Sequence, residues 1–115
     1  MRKDSVERSP DHQSEASKNV AWYLLPKEQS TDRNLHIMLE RYEPGGDFAE
    51  HQHDFQQTFY IAAGAFEMII GGKRDLYHQG DLIVMDVGEP HSGRNVADAV
   101  SELLAIDYWP AEGAS

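Results

Sequence analysis

From Val20 onward, glycine and proline cut this chain into apolar runs that are too short, and of the wrong period, for a helix. Leu35, Ile37 and Leu39 alternate with His36, Met38 and Glu40 until Pro44-Gly45-Gly46 breaks the run. The stretch from Gln57 to Ala63 and the stretch from Ala65 to Ile70 read as two strands joined at Gly64, and Gly71-Gly72 turns the chain into a third. A further strand precedes the turn at Gly88, and the last run ends at Pro110. Short strands with glycine turns at this spacing predict an all-β domain, a sandwich or a barrel. At 115 residues there is room for one core. The predicted organisation is a flexible N-terminal tail over residues 1–18, a folded domain over 19–110 and a short C-terminal tail over 111–115. The first 18 residues are rich in serine and charge, with almost nothing apolar to offset the entropy of ordering them.

The formal net charge is -10, and residues 1–19 balance four basic against four acidic side chains, so the excess falls on the rest of the chain. Such a surface repels phosphate backbones and anionic lipid, which argues against nucleic-acid and membrane partners. The N-terminus carries charge where a secretory signal would have its apolar stretch, and a cytoplasmic location is expected. With no cysteine, any metal must be held by nitrogen and oxygen.

His51 and His53 are one residue apart in an extended stretch, so both side chains fall on one face and can grip a single ion. The pair alone fits a polar surface equally well. Around it the spacing is Gly45, five residues, His51, one, His53, three, Gln57, six, Gly64; later come Gly80, five residues, Asp86, one, Gly88, two, His91, three and Asn95. This pair of motifs resembles those of the cupin family over roughly residues 34 to 109. Two positions depart from the family pattern: Gln57 stands where glutamate is usual, and Asp86 where proline is usual.

The resemblance implies a cupin double-stranded β-helix, or jelly-roll barrel, with His51, His53, Gln57 and His91 as ligands of a divalent metal in its mouth. Neutral imidazoles suit Zn, Ni, Fe, Mn and Cu alike, so the metal is not identified. With Gln57 in place of a carboxylate, all four protein ligands are neutral and the ion keeps its full charge, favouring Lewis-acid chemistry on an anionic substrate. Asp107 shares a strand face with Leu103, Ala105 and Trp109; pointing inward it would be a catalytic acid or base, pointing outward an exposed carboxylate. Trp109 is read as a substrate platform or as core, and Phe59 as pocket lining in contact with substrate. Arg94, with Arg41 one of the basic residues nearest the motifs, is the candidate for a substrate carboxylate, against surface ion pairing. His36 is expected at the barrel surface or a dimer contact.

Asp107, an aromatic two residues on and then proline resemble the short cupins that open and ketonise unsaturated monouronates from pectin and alginate, although no arginine follows Pro110 as it does in that group. The expected function is therefore a metal-dependent isomerase or lyase acting on a small oxygenated, anionic metabolite. The alternatives are a cupin dioxygenase using Fe(II) or another redox metal, and a non-catalytic sensor or binding cupin. A homodimer is expected, since exposed edge strands are commonly covered by a partner.

Overall fold

The computed structural model describes residues 1–110, and the expected C-terminal tail over 111–115 lies outside them. Among the described residues ten strands are formed: β1 (His12–Ser14), β2 (Asn19–Leu25), β3 (Leu35–Tyr42), β4 (Asp47–His51), β5 (Gln56–Ala63), β6 (Ala65–Ile70), β7 (Lys73–His78), β8 (Leu82–Met85), β9 (His91–Asn95) and β10 (Ser101–Tyr108). Two short 3-10 helices, Lys27–Gln29 and Thr31–Arg33, link β2 to β3. The strands form two antiparallel sheets, one in the order β1-β2-β3-β10-β5-β8 and the other β4-β9-β6-β7. Together they make a jelly roll, the all-β fold expected from the alternating pattern. No helix among the described residues is long and apolar enough to cross a membrane.

The core lies between the sheets and is built by alternation. β5 turns Gln57, Phe59 and Ile61 inward, β10 turns Ser101, Leu103, Ala105 and Asp107 inward, and β6 adds Phe66 and Met68. Gly64 joins β5 to β6 at φ +77°, and a Cβ there would collide with the Ser101 side chain, whose Oγ accepts the Ala65 N–H at 3.1 Å. The two motifs meet at Asn95: its backbone N–H donates to Gly46 O (2.8 Å), and its side-chain Nδ2 donates to Tyr42 O (3.0 Å) and Ala99 O (2.9 Å).

Two expectations are corrected. The N-terminal segment is anchored to the barrel, because β1 pairs with β2 (His12 opposite Ala21) and Arg8 bridges Asp4 (3.0 Å) and Asp11 (2.8 Å). The Trp22 indole, only 5% exposed, donates to Arg8 O at 2.7 Å. The segment has little apolar surface of its own, but it covers a tryptophan and completes hydrogen bonds on β2. The second correction is the face of β3. Residues directly opposite on neighbouring strands share a face, and His36 lies opposite the buried Asp107, so His36, Met38, Glu40 and Tyr42 face inward. Leu35, Ile37 and Leu39 face outward, beside Leu104 and Ile106 of β10. Hydrophobicity pointed the other way because the interior at this end of the barrel holds a polar cavity.

Candidate metal centre

His51 ends β4 and lies opposite His91, the first residue of β9, while His53 follows in the link to β5. This register, with the one-residue spacing of His51 and His53, brings together three imidazoles from two distant parts of the chain. One nitrogen of each lies within 4.8 Å of the others. Ring centroids are 4.3 Å apart for His51 and His91 and 4.6 Å for His51 and His53.

The backbone fixes the tautomers of two of the rings. His51 Nδ1 is 2.7 Å from Ala49 O and His91 Nδ1 is 2.9 Å from Glu89 O. A carbonyl only accepts, so each Nδ1 carries the proton and each Nε2 presents a lone pair. His53 Nε2 is buried with no hydrogen-bond partner among the described residues, and its ring stacks on Phe55 at 4.3 Å. Burial, reinforced by the two neighbouring imidazoles, pushes the His53 pKa down to about 4. Burial also lowers His91. Burial thus favours neutral His53 and His91, the form in which imidazole binds metal.

Gln57 sits in β5 opposite Asp107 of β10. Its Nε2 donates to Asp107 Oδ1 at 2.8 Å, which turns Oε1 toward His91 Nε2 at 2.9 Å. His91 has already spent its proton on Glu89 O, so two lone-pair atoms face each other at hydrogen-bond distance with no proton between them. A cation facing both removes that conflict. The opposed acceptors and the unpartnered His53 nitrogen are what a site for a divalent ion requires, and the donor set of imidazoles and an amide fits one. Asp107, 5% exposed, stands directly behind the amide, its carboxyl raised above the usual range chiefly by burial.

The cluster opens on a cavity of about 510 Å³ between the sheets, with His51, His53, Gln57, Phe59 and Asp107 among its lining residues. No lysine or arginine among the described residues lines it. Phe59 is buried there, as expected of a lining residue, whereas Trp109 and Arg94 are not brought to the cavity. Trp109 lies past the end of β10, packed on Phe55 (4.4 Å) with Lys27 Nζ 4.2 Å from its ring centroid. The Arg94 side chain, 60% exposed, extends to Glu67 at 3.4 Å. β9 alternates, and the inward positions belong to His91 and Asn95, so Arg94 faces out. Sequence reasoning missed Glu40, Tyr42 and Asn19, which line the far end of the same cavity. A glutamate set between a methionine and a tyrosine on one strand face was the signal available.

No curated protein matches the chain in sequence. Among solved structures, a predicted oxalate decarboxylase from Thermotoga maritima is similar over 96% of this chain and 100% of that one, with TM-score 0.85 and 25% identity. KdgF from Halomonas sp. is similar over 97% and 96% of the two chains, with TM-score 0.73 and 16% identity. The Cupin_2 domain of an XRE family transcriptional regulator from Enterobacter cloacae is similar over 81% and 98%, with TM-score 0.71 and 18% identity. A predicted decarboxylase and a domain of a transcriptional regulator therefore share this fold, and fold alone does not choose between catalysis and binding. Residues 38–107, a span that holds both histidine motifs and Asp107, match the cupin domain family Cupin_2, and the chain belongs to that family.

Proposed function

We propose that the chain is a metal-dependent cupin enzyme that opens and tautomerises a small oxygenated acid, with an unsaturated sugar acid as the leading substrate. The observation that carries this reading is the line from His91 through Gln57 to Asp107, which sets a buried carboxylate directly behind a neutral donor cluster. His51, His53, His91 and Gln57 Oε1 would hold a divalent ion, which when bound supplies Lewis-acid polarisation of a substrate oxygen.

Asp107 would move the proton. Its Oδ1 is engaged by Gln57, and its other oxygen is the one offered to substrate. On a cyclic unsaturated uronate, that oxygen takes the anomeric hydroxyl proton as the ring C–O bond breaks. The electrons of the broken bond are left on the departing enolate oxygen, and returning the proton to carbon gives the open-chain ketone. The steps sum to an isomerisation and need no oxidant. Phe59, buried in the core, gives this end of the cavity an apolar wall. The resemblance of Asp107 and Trp109 to the uronate-ketonising cupins names the substrate class. Trp109 stands outside the cavity and lines no part of it.

A second reading, decarboxylation of a small dicarboxylate, is supported by the full-length likeness to the Thermotoga maritima protein. The cavity disfavours it: Glu40, Asp47 and Asp107 line it without a compensating lysine or arginine, so a second substrate carboxylate would meet like charge. The test is turnover of 4,5-unsaturated monouronates by the metal-reconstituted protein, followed as loss of the conjugated enol-ether absorbance under air and under nitrogen. Activity that is independent of oxygen and lost in Asp107→Asn supports the first reading. Release of carbon dioxide from oxalate, or turnover that consumes oxygen, replaces it with a decarboxylase or a dioxygenase.

A further inference from the structure

At the end of the cavity away from the histidines, Glu40 and Tyr42 project inward from β3, and Asn19 lies opposite Tyr42 on β2. The Tyr42 hydroxyl donates to Glu40 Oε1 at 2.5 Å. The Asn19 side chain stands against the Tyr42 phenol, and its Oδ1 is buried without a hydrogen-bond partner among the described residues. Strand alternation sends the neighbouring Arg41 to the opposite face, where its guanidinium meets Glu102 at 2.6 Å and stacks over Trp22. Among the described residues no lysine or arginine faces Glu40 in the cavity. Burial, opposed by the Tyr42 hydrogen bond and reinforced by Asp107, raises its carboxyl to about 7.

We propose that Glu40, Tyr42 and Asn19 form a hydroxyl-recognition subsite that binds the uncharged, polyhydroxylated end of the molecule whose oxyanion is held at the histidine cluster. The acceptors of the subsite are the buried Asn19 Oδ1 and the Glu40 oxygens, and no lysine or arginine among the described residues lines the cavity, so it takes hydrogen-bond donors and rejects a second anion. A hydroxyl both donates and accepts, which suits a carboxyl whose only hydrogen bond among the described residues is from Tyr42. A buried acceptor without a partner is costly, and a donor supplied by the ligand recovers that cost only for ligands that carry one. The subsite thus deepens the proposed function, on whose metal-held oxyanion it rests: the substrate is an acid at one end and a polyol at the other.

The test compares three acids of matched chain length on the Zn2+-loaded full chain by calorimetry: D-gluconate, hexanoate and 6-aminohexanoate. Gluconate is expected to bind about tenfold more tightly than hexanoate, the gain of one or two recovered hydrogen bonds. Glu40→Met should remove most of that preference and leave hexanoate unchanged, and Glu40→Gln, which keeps an acceptor, should stay within about threefold of the parent. The proposal is overturned if gluconate binds no better than hexanoate, if Glu40→Met weakens both acids equally, or if 6-aminohexanoate binds best, which would make the subsite one for an ammonium group. Failure of the enzymatic reading appears separately, as absence of uronate turnover in a protein that still prefers gluconate.

Discussion

Replacing Gln57 by glutamate would place a carboxyl oxygen where the amide nitrogen now donates to Asp107 Oδ1 at 2.8 Å. Two carboxylates in that position have charge centres about 4 Å apart, and at an effective dielectric of about 20 their repulsion is about 4 kcal/mol, or about 3 pK units. Burial has already raised Asp107, so the pair retains one shared proton near neutrality, as carboxylate dyads do. The substitution then adds a carboxyl and a proton together and leaves the charge of the metal-free site unchanged at pH 7. Binding an ion to the new carboxylate must expel that proton. Gln57→Glu should therefore release about one more proton per Zn2+ bound than the parent, so log Kd should fall more steeply with pH, by about one unit per pH unit between about pH 6 and 8. Chelator competition across that range, with calorimetry in two buffers of different ionisation enthalpy, measures the difference. Once the ion is bound the added charge is uncompensated, and gluconate should bind more weakly than to the parent. An unchanged proton count would refute the geometry assigned to Gln57 and Asp107.

Four further outcomes are expected. His51→Ala and His91→Ala should each abolish stoichiometric metal after chelation and reloading, read by elemental analysis, since a four-donor site loses a donor whose tautomer the backbone has fixed. Deleting residues 1–10 should cost about 2–4 kcal/mol in urea unfolding, from uncovering Trp22 and leaving its indole N–H without Arg8 O; an unchanged midpoint would show that the segment contributes nothing. Glu40 has a folded pKa of about 7 against an ordinary 4.5, so its contribution is full below about pH 4.5 and is lost as pH rises to about 7; the parent should lose up to about 3 kcal/mol relative to Glu40→Gln over that window, and parallel stability curves would contradict it. His53, depressed to about 4, acts with the opposite sign, losing stability as pH falls from 6.5 toward 4, and it cancels in that difference. Light scattering should give a dimer mass that Val84→Asp reduces to a monomer, because Tyr60, Leu82, Val84 and Tyr108 leave apolar surface exposed on the outer sheet.

Much of the fold and of the donor cluster was legible because both depend on local spacing. His51 and His53 were paired by their one-residue spacing, although His53 lies beyond the end of β4, and the resemblance to the cupin motifs added Gln57 and His91. The orientation of Asp107 was also within reach, since its strand partners Leu103 and Ala105 are core residues. What was not legible depended on which of two plausible faces turned inward. Leu35, Ile37 and Leu39 make the more apolar side of β3, yet a barrel that holds a polar cavity turns Glu40 inward and leaves the leucines on an outer face they share with Leu104 and Ile106. Arg94 failed as a candidate for the same reason of parity, and Trp109 because it lies past the last residue of β10. The N-terminal segment was misjudged because its contribution is made through backbone pairing and one indole, which composition does not register.

The amide at position 57 connects two groups that need opposite partners. His91 Nε2 presents a lone pair on one side, and Asp107 presents an acceptor on the other. A carboxylate there can serve Asp107 only by holding a proton, and it then competes with a cation for the same oxygen. An amide donates through nitrogen and leaves its oxygen committed to the side of the histidines, with no titration near neutral pH. In the proposed centre the charge state of Asp107 would thereby be separated from the donor set, and the carboxyl would be free to gain and lose a proton while the ligand orientation stayed fixed. That separation is of little use to a centre that works by changing its own oxidation state, and it suits one in which the protein's carboxyl does the proton transfer.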